Sequence, residues 1–181
     1  MSTHTDISVD VRQRQEPLRD RYKHAPDEAS IVDRAATKDG IVSDAFHGYV
    51  APGSKDYGIV WPFGIHEAVG GDHDLPNPGD LLCAALATCL DATIRIIANR
   101  LHVTLTRLRV EVTGHVDVRG TLAIDMTVPV GFQKMCCRVD IQPAEGTDPN
   151  LVAKLLAASE RSCVNLQTLR AGVPVETSFG S

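Results

Sequence analysis

Aromatic side chains are scarce, at 4% of 181 residues. A core must then be assembled from Leu, Ile, Val and Ala, and contact with a second subunit is one way to complete it. The sequence has no CxxC, no HExxH and no paired Cys/His spacing, so no structural zinc site or other metal centre is expected. No glycine-rich phosphate cradle and no Ser/His/Asp constellation is present, and no organic cofactor is expected. The first residues, MSTHTDISVDVRQRQEP, contain no apolar core of a secretory signal. Five cysteines (Cys83, Cys89, Cys136, Cys137 and Cys163) are therefore expected as reduced thiols in the cytoplasm. No uninterrupted apolar run approaches the ~18 residues of a membrane span, so no membrane is expected as a partner. The formal net charge of -5 argues against nucleic acid as another.

The composition, 43% hydrophobic and 23% charged, fits one domain of ordinary size. The basic stretch Arg12–Lys23 reads as a solvated helix face. Pro17 suits the first turn of a short helix ending at Tyr22 or Lys23, within an N-terminal extension of residues 1–29. Strand-like segments follow at Ser30–Thr37, Ile41–Val50 and Gly58–Val69, with a hairpin turn expected at Asp39-Gly40 and an edge position for the third because of Pro62.

Pro78 to about Leu101 has the marks of a long helix: Asn77 as N-cap, Pro78 in first position, and Asp80 near the positive end of the dipole. Leu82, Ala85, Cys89, Ala92 and Ile96 fall on one line, and the polar stripe is narrow. Such a helix should be buried by sheet or by another subunit. Leu105–Asp117 alternates as a strand, and Leu122–Val130 and Lys134–Gln142 are further candidates. Asp148 and Pro149 open a second amphipathic helix. After a break near Ser162, Cys163–Leu169 forms a third, and Val173–Thr177 reads as a last strand. This order predicts an α+β fold rather than alternating βαβ units.

Two cysteines are placed for chemistry. Cys89 lies on the apolar side of the long helix, where the plain reading is core packing. Cys163 follows Ser162, a fitting N-cap, so its sulfur is expected in a first turn, where free N–H groups favour a thiolate. Cys136 and Cys137 are neighbours on a strand and face opposite sides, one inward and one outward. Cys83 reads as packing, and Asp72-His73-Asp74 as a solvated loop cluster.

The run NPGDLLCAALATCLDATIRIIANRLHVTLTRLRVEVTGHVDVRG, with ERSCVNLQTL further on, resembles the OsmC/Ohr family of thiol-dependent hydroperoxide reductases over roughly residues 30–178. The likeness is greatest to OsmC-like proteins with a longer N-terminus and a GFQ segment. It implies an OsmC-like domain over residues 30–181, with antiparallel sheets wrapped around long central helices in an intertwined homodimer whose active sites lie at the subunit interface. It also implies that Cys89 is peroxidatic and Cys163 resolving, with an organic hydroperoxide as substrate and a dithiol, of lipoyl type, as reductant. The family's peroxidases use an arginine in the first hairpin and a glutamate after the NP. Here Lys38 stands at the arginine position as the activating cation, and Gly79 at the glutamate position with Asp80 beside it as the orienting carboxylate. Val164 follows the second cysteine in place of the usual proline. The alternative implied by these departures is a binding or redox-sensing dimer without peroxidase activity.

Overall fold

The protein is described here by a computed structural model covering residues 9–180. It is α+β and divides into two units that share its longest elements. Among the described residues, one unit gathers 9–29, Thr88–Val110 and 139–180; the other holds Ser30–Ala87 and Glu111–Arg138.

In the first unit, helix α1 spans Val11–His24. It starts earlier than the proline suggested, because the Asp10 carboxylate accepts the Gln13 N–H at 2.9 Å and caps the helix well before Pro17. Pro17 lies inside the helix, where its missing N–H forgoes one backbone bond. The basic stretch is a solvent face: Lys23 pairs with Asp20 at 3.1 Å and Arg21 with Glu28 at 3.2 Å. Helix α2, Pro78–Arg100, passes from the second unit into the first. Helix α1 satisfies its C-terminal end, where carbonyls have no helical partner. Arg12 donates to the Arg100 carbonyl at 3.0 Å, the Asn99 amide bonds both Val11 N and Val9 O, and Arg100 donates to Gln15 at 2.6 Å.

The core of this unit is the line Leu90, Ile94 and Ala98 on α2, with Val103 and Leu155. Leu86 continues that line in the other unit. The line of Leu82, Ala85, Ala92 and Ile96 is instead exposed, Leu82 and Ile96 at 39% each. A helix apolar nearly all round buries only one of its faces within its own chain. By length and composition alone α2 is also apolar enough to cross a membrane, although Asp91 and Arg95 pair on it at 2.6 Å.

Strands β4 (Leu105–His115) and β5 (Lys134–Pro143) form a two-stranded sheet. Ala144 N bonds Thr104 O at one end and Gln133 N bonds His115 O at the other, which makes the pair antiparallel. Helix α4, Pro149–Ser162, is capped by Asp148 as expected, and helix α5 spans Val164–Ala171. The expected final strand is absent: residues 173–180 carry no regular structure.

The second unit contains an antiparallel sheet of β1 (Ala35–Lys38), β2 (Gly48–Pro52) and β3 (Trp61–Phe63) in that order. Lys38 pairs with Tyr49, and Val50 with Trp61. Pro62 does sit on an edge strand. The turn at Asp39-Gly40 does not form; residues 39–47 make a longer loop instead. Asp44 organises it by accepting the N–H groups of Phe46 and His47 at 2.9 and 3.2 Å, which competes with strand pairing. His47 is held between Asp44 at 2.9 Å and Asp74 at 3.2 Å, and these partners raise its pKa above the ordinary value.

The segment read as a strand at Leu122–Val130 is a series of turns after the one-turn helix α3, Val118–Thr121. Asp125 accepts from Thr127 N and Oγ1 at 3.0 and 2.7 Å, so side-chain bonds replace a ladder. Gly120 is required here, since a Cβ would lie 2.6 Å from the Val128 carbonyl oxygen.

Candidate active site

Helix α2 presents Cys89 one turn before Thr93, whose hydroxyl donates to the Cys89 carbonyl at 2.7 Å. Cys163 occupies the joint between α4 and α5, serving as C-cap of one and N-cap of the other. Its N–H bonds Ser159 O and its carbonyl accepts from Gln167 N, both at 3.0 Å. Ser159 is itself buried and bonds Leu155 O at 2.8 Å. Glu160 fixes the angle of the joint, its carbonyl accepting from Gln167 at 2.8 Å and its carboxylate from Arg170 at 2.7 Å.

These elements bring the two sulfurs to 3.4 Å, with the Cys163 thiol donating to Cys89 Sγ. Cys89 is half-buried and Cys163 fully buried, at 0% exposure. Burial pushes the Cys163 thiol up; the N–H groups of Leu166 and Asn165 oppose the rise and Cys89 adds to it. The expectation that the start of α5 favours a Cys163 thiolate is corrected in one respect: Ser162 ends α4, Cys163 is itself the N-cap, and its side chain makes no capping bond. The Asn165 N–H in that first turn points to Cys89 Sγ, at 3.5 Å. Sequence reasoning missed this amide, because a backbone donor carries no residue-type signal.

Lys38 ends β1 in the second unit, where it lines an open cleft with Arg34, Lys55 and Tyr57. Its backbone pairs with Tyr49 in the sheet, and among the described residues its ammonium makes no ion pair. Asp80 serves the start of its own helix. Its carboxylate accepts Asn77 N at 3.0 Å and Asn77 Nδ2 at 2.6 Å, while Asn77 Oδ1 accepts the N–H groups of Gly79 and Asp80. This reciprocal cap starts α2. Nine residues of helix, about 13 Å of rise, separate Asp80 from Cys89 along one chain.

Gly79 is explained by Phe132. A Cβ at Gly79 would lie 2.9 Å from Asn77 Oδ1 and 3.0 Å from the Phe132 ring, and one at Gly114 would lie 2.6 Å from the same ring. An aromatic side chain fills the space that a residue at position 79 would enter. Phe132 also lines a cavity of about 860 Å³ with Cys83, His66 and Val112. Burial, then Asp80, raises the Cys83 pKa, which suits a packing role. Cys136 is half-buried and Cys137 exposed, as strand alternation predicts. Asp72 and Asp74 flank His47 at 3.8 and 3.2 Å; among the described residues no group of His, Cys, Asp or Glu is arranged to hold a metal ion.

A family model described as OsmC-like protein matches residues 71–178, more than half of the chain and both cysteines. Among solved structures, the chain is similar to an OsmC-like protein from Mycoplasma pneumoniae at 13% identity and a TM-score of 0.62, covering 79% of this chain and 90% of that one. It is similar to an organic hydroperoxide resistance protein OsmC from Legionella pneumophila at 20% identity and 0.56, covering 77% and 90%. An OsmC-like protein of unknown function from Vibrio cholerae matches at 11% and 0.62, covering 77% and 94%. At these identities the structures bear on fold alone. No curated protein sequence matches. The match of the family model over the long helix, both sheet-forming strands and the second cysteine makes the chain a member of the OsmC-like protein family.

Proposed function

We propose that the protein reduces organic hydroperoxides with its two cysteines, Cys89 as the attacking thiol and Cys163 as the resolving one. The observation that carries this reading is a pair of free sulfurs 3.4 Å apart, of which only Cys89 has access to solvent. The Cys89 thiolate attacks the distal peroxide oxygen, the O–O bond breaks, and the alkoxide takes a proton and leaves as an alcohol. Cys89 is then a sulfenic acid. The Cys163 sulfur attacks it, an S–S bond replaces the S–O bond, and hydroxide leaves with the Cys163 proton as water. An external dithiol, of lipoyl type by family likeness, returns two electrons and two protons by exchange and becomes a disulfide itself.

The working form is a homodimer, supported by the exposed apolar line of α2 and by a first sheet whose β1 is exposed along its whole length. Since Asp80 cannot reach Cys89 along its own helix, a contribution from it, and from Lys38 as activating cation, is assigned to a second copy. A reducing cytoplasm suits five cysteines, none of them in a disulfide.

A second reading, a binding or redox-sensing dimer without turnover, is favoured by one observation: Phe132 fills the space beside Gly79 where the family's peroxidases carry their carboxylate.

Stopped-flow mixing with an organic hydroperoxide, following thiol loss, separates the two. Fast loss in wild type that disappears in Cys89→Ser, with a Cys89–Cys163 disulfide found by mass spectrometry, supports the peroxidase. Loss no faster than for a free thiol, or oxidation centred on Cys136 or Cys137, rejects it. Slower loss in Lys38→Ala supports the cation assignment. A stable folded monomer at micromolar concentration in sedimentation rules out the dimer.

A further inference from the structure

The first N–H groups of a helix have no carbonyl one turn back to bond. In α5 the N–H of Asn165, which also faces Cys163, points to Cys89 Sγ, a sulfur 76 positions away in sequence, at 3.5 Å. The thiol of Cys163 turns to the same sulfur from the other side of the joint, at 3.4 Å. Two donors thus converge on one atom. A neutral thiol is a weak acceptor, whereas an ionised acceptor forms much stronger hydrogen bonds, so convergence of this kind favours charge on Cys89. Cys163 is fully buried, and burial pushes its thiol up. The donor is held firmly, because Cys163 at the head of α5 is bonded to both helices and Glu160 ties them together.

We propose that the backbone amide of Asn165 is a catalytic group: it binds the Cys89 thiolate and orients its remaining lone pairs toward the incoming oxygen. The proposal rests on Cys89 being the attacking thiol. It names an activating donor inside the same chain, independent of a hairpin cation or a carboxylate beside the NP. Loss of the family's arginine and glutamate positions then leaves this source of activation in place.

The test removes one N–H. Asn165 is the second residue of α5, and proline is accepted in a first turn because the helix needs no N–H there. Asn165→Pro therefore deletes the donor. Val164→Pro, one residue earlier at an exposed side chain, is the control for proline itself. The readout is the rate of Cys89 alkylation by iodoacetamide against pH, resolved by mass spectrometry, with no peroxide present. The expected result is roughly tenfold slower alkylation at pH 7 in Asn165→Pro, with Val164→Pro within about twofold of wild type. If Asn165→Pro fails to fold, an ester in place of the amide at residue 165, introduced by semisynthesis, removes the same hydrogen and gives the same expectation. A profile of the proline or ester protein that overlays wild type overturns the proposal. Peroxide turnover in wild type alongside an unmoved profile overturns the amide's role and leaves the peroxidase reading standing. A shifted profile in a wild type without turnover upholds the amide and removes the peroxidase.

Discussion

Oxidising the reduced protein with one equivalent of hydroperoxide should make it harder to unfold. A Cys89–Cys163 bond would close a loop of about 75 residues, for which the chain-entropy argument gives a ceiling of about 4.5 kcal/mol at 25 °C. Against this, the sulfurs must close from 3.4 Å to a covalent bond, and Cys89 loses the thiol hydrogen bond from Cys163. A net gain of about 2–4 kcal/mol is expected. With a urea dependence of about 2 kcal/mol/M, the unfolding midpoint rises by about 1–2 M. The assay is equilibrium urea unfolding of both forms at one protein concentration, because association also shifts midpoints. Cys89→Ser treated identically should show no gain. An oxidised protein that unfolds at the same or lower urea, or a gain that survives in Cys89→Ser, refutes the pairing.

Leu155→Ala should cost about 3–4 kcal/mol in the same unfolding assay, since Leu155 is fully buried against Ala98 and Val103; a loss below about 1 kcal/mol would show that the site collapses freely. Because Asp44 and then Asp74 raise the His47 pKa, the stability His47 adds is complete below its ordinary value near 6.5. It fades as pH climbs through the raised folded value, so the stability gap to His47→Gln should be widest in mild acid and close in mild alkali. A gap that widens with pH would reverse the sign and dismiss the assignment. Gly79→Glu should destabilise by about 1–3 kcal/mol, with Phe132→Ala relieving it, and should not speed Cys89 oxidation. Faster oxidation in that variant would show that the missing carboxylate still has room to act.

Local chemistry made much of the fold legible. Asn77-Pro78 and Asp148-Pro149 each mark a helix start within a residue of where it occurs, because capping and proline at the first position are decided within one turn. Alternation from Leu108 onward placed β4 correctly. Around Asp44 and Asp125, strand-like composition lost to side-chain bonds to the backbone, which pattern reading does not weigh. The two cysteines and their expected pairing were visible through motif likeness, whereas the amide that faces them was not. Which sulfur receives the start of α5 depends on where the joint directs Asn165, and that is set by packing among α2, α4 and α5 rather than by the residue beside Cys163.

The supports of α2 decide which sulfur must travel. The reciprocal bonds of Asn77 and Asp80 hold its first turn, and Arg12 with Asn99 and the side-chain partners of Arg100 hold its last. Cys89 lies near mid-span of a helix whose last turn is tied to α1, so sliding along the axis would break those ties. Cys163 is instead the one non-helical residue between α4 and α5, where Ser159, Gln167 and Glu160 hold the backbone and the side chain is left to rotate. Closing the gap between the sulfurs is therefore a rotation of the Cys163 side chain onto a stationary anvil. Hydrogen exchange should register the redox state in residues flanking 163 and pass over the ends of α2.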